Sequence, residues 1–140
     1  MKYLLATLTL CVSLAAQPAF HVAAGDFVID SLKKQGMPRE YAYPVGGIMS
    51  HVGTDILIGE SGLGDYTIGI ACVRLAIMYL ACDDREDFFL KAFWTMLPDV
   101  IDKGLNTKIF HPNIPQASAF NRDGTELLEE VAVLSYCVRF

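Results

Sequence analysis

The chain has few of the residues and motifs that point directly to a chemistry. Its 140 residues include four cysteines and three histidines, with no Cys-x-x-Cys pair and no His and Cys at the spacing of a metal site. No serine lies in the nucleophile turn of the α/β-hydrolases, and no linker or repeat divides the chain. The sequence therefore predicts one domain with no metal and no cofactor.

Basic residues are sparse and nowhere clustered. Counted from Gly25 onward, ten Lys and Arg face sixteen Asp and Glu, so the net charge is −6 with neutral histidines. This balance argues against nucleic acid and against anionic lipid surfaces as partners, and it favours a basic protein partner.

One long apolar run stands at the N-terminus, from Leu4 to Ala16, with Lys2 ahead of it. This is the pattern of a secretory signal peptide. A retained anchor would need about 20 apolar residues, and Gln17 and Pro18 interrupt this run. Small residues allow cleavage after any of three positions, namely Ala15, Ala16 and Ala24. We expect a signal peptide within 1–24, cleaved between 15 and 24, followed by one periplasmic or secreted domain over 25–140.

Helical spacing of apolar residues predicts a mostly α domain of about four to five helices. The predicted helices cover 26–35, 45–60, 66–82, a stretch from 83–87 to Gly104, and 123–136. Pro38 and Pro44 predict a loop over 36–44, and Pro98 should kink or divide the fourth helix. Residues 106–122 read as a long loop with a short strand around 108–110. The β-branched and aromatic residues of 131–140 are also compatible with a short C-terminal strand.

Two of these helices carry predictions about the core. Residues 66–82 are apolar nearly all round, which predicts a central buried helix. A second membrane span is the alternative, but Arg74 at its centre would cost about 2.5–3.5 kcal/mol. We expect no stable span in the mature chain and a carboxylate partner for Arg74. In the following helix, the stripe expected to face the core comprises Phe89, Phe93, Met96, Leu97, Val100 and Ile101.

Three cysteines remain after the leader, in a setting that permits disulfides. Cys72 and Cys82 lie ten residues apart on one predicted helix, about 15 Å at ~1.5 Å per residue, which is too far for a bridge. Cys137 is therefore the common partner. We favour the pair Cys82–Cys137 because Cys82 ends its helix, and three buried thiols are the alternative.

One short stretch offers candidate catalytic acids. Glu60 follows an apolar helix, where a carboxyl can keep its proton for general acid catalysis, and Asp65 would be a second carboxylate. Glu60-Ser61 resembles the Glu-Ser of soluble lytic transglycosylases. Residues 66–70, Tyr-Thr-Ile-Gly-Ile, resemble the strand that carries a Thr of the active site in phage-type lysozymes. Ala71-Cys72 replaces the Gly-His that follows in those lysozymes, and the transglycosylase Gly-Leu-Met-Gln signature is missing. A turn acid that binds backbone donors is the alternative.

The histidines give a weaker signal. His51 and Asp55 share one helix face at i, i+4, so the carboxylate can orient the ring. An ordinary surface or core histidine is the competing interpretation. His111 lies too far along the chain to be paired with His51 from the sequence.

The sequence best fits an exported, non-enzymatic helical protein that inhibits a partner in the cell envelope, of the immunity type. The partner would be a protein, such as a basic toxin or a wall-degrading enzyme, and a homodimer is the other assembly considered. An acidic cluster attracts a basic partner, and a proline-bounded loop with aromatic residues can fill a cleft. The predicted contact residues are Asp83, Asp84, Glu86, Asp87, Phe110, His111 and Phe120. The alternative function is a small lysozyme-like enzyme that cleaves peptidoglycan, with Glu60 as general acid.

Overall fold

The chain is mostly helical, as predicted. The computed structural model describes residues 3–4, 18–58, 65–110 and 131–135. Four helices have described bounds: α1 (Pro18–Lys34), α2 (Arg39–Ile58), α3 (Asp65–Ala81) and α4 (Arg85–Leu105). Residues 131–135 are also helical, and these described ranges contain no strand. Within them, no helix is both long enough and apolar enough to cross a membrane.

The described residues fall into two compact units. The first unit contains 3–4, 18–20, 65–88 and 131–135, and the second contains 21–58 and 89–110. The second unit thus holds most of α1, all of α2 and most of α4. The prediction of one domain over 25–140 stays a prediction.

Helix α1 ends where the sequence predicts. Gly36 has φ +90°, a left-handed conformation that glycine adopts without strain. The N–H of Met37 donates to the carbonyl of Leu32 and the N–H of Gly36 to that of Lys33, both at 3.0 Å. This Schellman pattern satisfies carbonyls that the last turn leaves open.

Helix α2 begins earlier than predicted, and the predicted loop over 36–44 is wrong beyond Pro38. The Pro38 carbonyl accepts the N–H of Ala42 at 2.9 Å, so Pro38 stands at the start of the helix. Pro44 lies inside the helix in its second turn. The φ of proline suits a helix, so α2 continues through Pro44 although one i→i−4 donor is missing there.

Helix α4 begins on the acidic cluster, in agreement with the prediction. Asp84 Oδ1 accepts the N–H of Asp87 at 3.0 Å, which caps the helix. Pro98 does not divide α4, which runs unbroken to Leu105. The predicted stop at Gly104 is also wrong, because the left-handed residue is Asn106, with φ 51°. Asparagine tolerates this conformation better than most side chains.

The C-terminal elements differ from the strand predictions. Residues 108–110 form a bend instead of a strand. The Asp102 carboxylate accepts the N–H groups of Ile109 and Phe110, at 3.0 and 2.9 Å, and so occupies donors that a strand would use. Residues 131–135 are helical, in agreement with the predicted helix over 123–136, and the alternative strand is wrong at these positions.

The predicted inward faces of α3 and α4 need correction. Helix α3 is not buried all round: it buries Ile77, Met78 and Ala81 but exposes Val73 and Leu80. Arg74 is buried as predicted, and its carboxylate partner stays a prediction. In α4 the predicted core stripe faces outward at three positions, with exposures of 60 % for Phe89, 47 % for Phe93 and 61 % for Val100. Its buried residues are Phe88, Lys91, Thr95, Pro98, Asp99 and Asp102.

Small residues let the three helices of the second unit approach closely. A Cβ on Gly47 would lie 2.7 Å from the Trp94 Cβ, and one on Gly46 would lie 2.8 Å from Ile29 Cγ1. A Cβ on Gly25 would collide with Thr95 Oγ1. The glycines that weaken these helices locally therefore allow their packing.

Candidate metal centre

Two histidines and an aspartate meet inside the second unit. His21 lies in the first turns of α1, and His51 and Asp55 lie one turn apart on α2. Helices α1 and α2 run antiparallel, since Gly46 lies beside Ile29 and Ser50 beside Gly25. This register brings the start of α1 to the end of α2. The three residues, called the His–His–Asp cluster below, are therefore assembled by helix packing.

The cluster is compact and shielded from solvent. Both histidines are 0 % exposed and Asp55 is 7 % exposed. His21 Nε2 donates to Asp55 Oδ1 at 2.7 Å, and His51 Nε2 lies 3.3 Å from Asp55 Oδ2. The two imidazole rings are tilted by 41°, with centroids 4.6 Å apart. One carboxylate thus lies next to the Nε2 atoms of both rings, with one oxygen facing each ring.

The Asp55 carboxyl stays ionised in this setting. Burial alone would raise its pKa, but the hydrogen bonds and charges of His21 and His51 outweigh burial. The pKa of Asp55 is therefore held well below its ordinary value. A metal ion can use this carboxylate only together with neutral imidazoles, because metal ligands must be deprotonated.

Metal ligand geometry fits this arrangement. One ligand atom from each of the three residues lies within 4.8 Å of the other two. Zinc binds histidine nitrogen at about 2.0–2.1 Å in tetrahedral sites, which puts neighbouring ligand atoms roughly 3.3 Å apart. Two imidazoles with one carboxylate are a donor set for zinc, and also for ferrous iron and its neighbours in the first transition series.

The surroundings of the cluster are polar. Ser50 and Thr95 approach α1 at Gly25, one turn along from His21. The Thr95 hydroxyl is buried and has no hydrogen-bond partner among the residues that the structure describes. Helices α1 and α4 are antiparallel, because Gly25 lies beside Thr95 while Asp30 lies beside Lys91. One turn beyond Thr95, the buried Asp99 therefore comes to the level of His21 along the helices.

A buried ion pair ties the other end of α1 to α4. Lys91 Nζ lies 2.5 Å from Asp26 Oδ1 and 3.0 Å from Asp30 Oδ1, and the Lys91 side chain is only 4 % exposed. Burial raises the pKa of Asp30, but the hydrogen bonds from Lys91 and Lys33 lower it by more than burial raises it, so the pKa lies below its ordinary value. These charges neutralise one another, and they hold α1 against α4 beside the cluster.

The predicted partner-contact residues have mixed positions. Asp83, Asp84 and Glu86 are exposed, while Asp87 and Phe110 are half-buried. Asp84 also serves as the cap of α4, so its carboxylate already binds a backbone donor. His111 and Phe120 lie outside the described residues. The structure thus brings the acidic residues together on one helix start, and their role as a contact surface stays a prediction.

The predicted catalytic acids and the disulfide are mostly outside the described part of the chain. Glu60 is not described, and Asp65 is the first residue of α3. Residues 66–70 are helical, as the predicted helix over 66–82 requires, and do not form the strand that carries the Thr in the lysozymes they resemble. Cys82 is half-buried just after α3, and its predicted partner Cys137 lies outside the described residues. No disulfide joins the cysteines of the described ranges, and the pairing Cys82–Cys137 stays a prediction.

The sequence showed only part of the cluster. The i, i+4 pair of His51 and Asp55 is visible in the sequence, and the structure places His51 Nε2 3.3 Å from Asp55 Oδ2. His21 was assigned to a leader ending as late as Ala24 and was therefore not considered as a ligand. The available signal is the i, i+4, i+8 spacing of His21, Gly25 and Ile29, which puts His21 on the helix face that packs against α2.

No protein-family model matches the chain, and no curated protein or solved structure is significantly similar to it. The fold and the cluster define a helical protein with a buried His–His–Asp centre.

Proposed function

We propose that this chain is an exported metal-binding protein that holds a divalent transition-metal ion between His21, His51 and Asp55. The observation that carries the proposal is the convergence of three buried ligand atoms within 4.8 Å. The three groups already contact one another, with His21 Nε2 2.7 Å from Asp55 Oδ1 and His51 Nε2 3.3 Å from Asp55 Oδ2, which offsets part of the cost of burying them. A bound cation would compensate all three groups at once, and their fixed positions would lower the entropy cost of binding it.

Among the described residues, three side chains contribute ligand atoms to the site. Structural zinc sites use four protein ligands, whereas catalytic sites use three and leave one position open. Asp99 is 3 % exposed and, by the antiparallel register of α1 and α4, lies at the level of His21. The Asp99 carboxylate is not among the ligand atoms that lie within 4.8 Å of one another, so we infer that Asp99 orients a histidine of the cluster instead of binding the metal.

The test is metal binding by the purified mature protein. Zn²⁺ titration should give one site per chain, and Co²⁺ should give the visible absorption of a four-coordinate centre. His21→Gln, His51→Gln and Asp55→Asn should each weaken Zn²⁺ binding by about 100-fold or more, because ligand loss exceeds the effect of losing an orienting group. Bound metal should also raise Tm, since it binds only the folded chain.

The matched control is Glu40→Gln, which removes an exposed carboxylate from α2 outside the cluster and should leave Zn²⁺ affinity unchanged. Circular dichroism of each variant separates loss of the site from loss of the fold. Equal Zn²⁺ affinity in the wild type and all three cluster variants would show that the cluster is only a hydrogen-bond network. Asp99→Asn should weaken Zn²⁺ binding less than Asp55→Asn does, because Asp99 only orients a ligand.

The proposal also restricts the end of the leader. Helix α1 runs through Ala24 without a break, and cleavage there would remove His21. We therefore expect cleavage after Ala15 or Ala16, which leaves the cluster intact. Intact-mass measurement of the exported protein checks this, and a mature chain that begins at Gly25 would contradict the metal site.

The exposed acidic residues support a second candidate function, binding of a basic protein. Asp83 and Glu86 are exposed beside the start of α4, and they are not the capping residue. The double change Asp83→Lys with Glu86→Lys should weaken the binding of a stoichiometric partner from the cell envelope, and the loss should depend on salt. Asp84 keeps the helix capped in this variant. A partner that binds the double variant as tightly as the wild type would rule out this surface.

A further inference from the structure

Helix α4 carries two rows of side chains on opposite sides. The buried row occupies positions 91, 95, 98 and 102. An outer row, called the α4 seam below, occupies positions 86, 89, 93, 96, 100 and 103. At 100° per residue, the seam lies opposite the buried row. Its members recur at alternating steps of three and four residues, which is the spacing with which one helix packs along another.

The middle of the seam is apolar, and its rings contact one another. Phe89, Phe93 and Val100 are exposed, and Met96 is half-buried. The rings of Phe89 and Phe93 stack with centroids 6.5 Å apart, and those of Phe93 and Trp94 meet edge to face at 5.3 Å. Side chains that already hold one another lose less freedom when a partner covers them. The seam is therefore a ready contact surface for a second helix.

The two ends of the seam carry opposite charge. At the start of α4, the exposed charged residues are Asp83, Asp84, Arg85 and Glu86, so three acids and one base give −2. At its end, up to residue 110, the exposed charged residues are Lys103 and Lys108, which give +2. Asp102 near this end is buried. A partner with charge of one sign matches one end only, whereas a helix with the reverse order of charges matches both.

We propose that the chain forms a homodimer in which the α4 seams of two copies pack antiparallel about a twofold axis. The seam is its own complement in this arrangement. Three pairs share one midpoint, between Trp94 and Thr95, and would face each other across the axis: Phe93 with Met96, Phe89 with Val100, and Glu86 with Lys103. Apolar side chains therefore meet apolar ones, and the acidic end of each copy meets the basic end of the other.

The charges select the antiparallel order. A parallel pair would set Glu86 against Glu86 and Lys103 against Lys103, which repels at both ends. The seam spans about 25 Å at ~1.5 Å per residue. A twofold interface uses the same surface on both copies, so assembly stops at the dimer. The proposal does not depend on bound metal, because the seam lies on the side of α4 opposite to Thr95, which faces α1.

Sedimentation equilibrium of the purified mature protein is the experiment. Its N-terminus is first established by mass, because a retained apolar segment 4–16 would associate by itself. We expect a reversible equilibrium of monomer and dimer with no larger species. A protein that stays monomeric up to about 1 mM would overturn the proposal. Flotation of that monomer with lipid vesicles would then assign the seam to a membrane.

Phe93→Gln tests the apolar middle of the seam. Because of the twofold axis, one substitution removes two phenylalanines from the interface, so the Kd of the dimer should rise by about tenfold or more. Phe27→Gln makes the same change at an exposed residue of α1 and should leave the Kd unchanged. If Phe93→Gln is folded by circular dichroism and dimerises as tightly as the wild type, the seam is not the interface.

Charge reversal tests the antiparallel order. Glu86→Lys and Lys103→Glu each set like charges against one another at both ends, so each variant alone should dimerise about three- to tenfold more weakly at low salt. An equimolar mixture of the two variants should form a heterodimer about as stable as the wild-type dimer, because every lysine then faces a glutamate. A mixture of folded variants that associates no better than either variant alone would overturn the antiparallel pairing.

Discussion

Helices α3 and α4 have similar lengths but bury opposite kinds of side chain. The described part of α3 buries Ile77 and Met78, with Arg74 as its buried charged residue, whereas α4 buries Lys91, Asp99 and Asp102 and exposes Phe89 and Phe93. The difference shows that apolar periodicity identifies a stripe without telling which way it faces. A polar stripe faces inward when its members find partners there, as Lys91 does with Asp26 and Asp30.

The largest expected effect comes from breaking the polar interior. Lys91→Met keeps most of the side-chain volume but leaves the Asp26 carboxylate buried without its cation. Removing one partner of a buried pair costs about 3–5 kcal/mol. Urea unfolding should show a loss of this size in the free energy of unfolding.

Lys34→Met is the matched control, because it makes the same substitution at an exposed lysine at the end of α1. Its effect should stay within about 0.5 kcal/mol. Equal costs for the two changes would mean that the polar face of α4 is not its inner face.

The next effect tests the close approach of α2 and α4. A Cβ at Gly47 would lie 2.8 Å from the Trp94 backbone carbon, and backbone cannot move aside cheaply. Gly47→Ala should therefore destabilise the fold by about 1–3 kcal/mol. Thermal unfolding monitored by circular dichroism measures the shift.

Gly53→Ala lies on the same helix, where nothing stands within 4 Å of a new Cβ. Alanine is the better helix former, so this change should stabilise by up to about 1 kcal/mol. The two substitutions should have opposite signs. A stabilising Gly47→Ala would contradict the packing of α2 against α4.

A smaller effect concerns the start of α4, where the acidic cluster has a structural role. Asp84→Ala removes the side-chain acceptor of the Asp87 N–H and should cost about 0.5–2 kcal/mol. Asp84→Asn removes the charge but keeps an acceptor, so it should destabilise the fold by only a small fraction of that amount. If both changes cost the same in equilibrium unfolding, the charge matters more than the cap.

The smallest effect is the acid sensitivity of Asp30. Its pKa in the folded chain is lowered below 3.8, so its contribution is present above the unfolded pKa and disappears as pH falls through the folded one. Asp30→Asn should be less stable than the wild type near neutrality, and the difference should shrink between about pH 5 and pH 2. Because Asp30 is partly exposed, we expect a small difference. Glu40→Gln, an exposed change of the same charge, should show no such convergence.

Much of the fold was predictable from local patterns. The stop of α1 at Gly36 and the acidic start of α4 rest on residues that act within one turn, and both are confirmed. The failures have local causes too. Pro44 and Pro98 lie within continuous helices, where neighbouring turns keep the helix intact. The left-handed stop of α4 falls on Asn106, two residues beyond the glycine that the sequence favoured.

Only part of the candidate site could be predicted from the sequence, namely the pair of His51 and Asp55. His51 and Asp55 are neighbours on one helix, so their contact follows from spacing alone. His21 is 34 residues from Asp55 along the chain, and only the antiparallel register of α1 and α2 joins them. His21 also lies ahead of a predicted cleavage site, which places it within the predicted leader. Small residues such as Ala23 and Ala24 are equally common at cleavage sites and in packed helices, so they do not distinguish the two.

The sequence by itself determined that this chain is helical, where several of its helices begin and end, and which residues share a helix face. These properties depend on hydrogen bonds and side chains within a few residues of one another. Only the tertiary structure decided which face turns inward and which distant residues meet. That choice depends on partners supplied by other helices, and in the second unit those partners placed lysine, aspartate and histidine inside and phenylalanine outside.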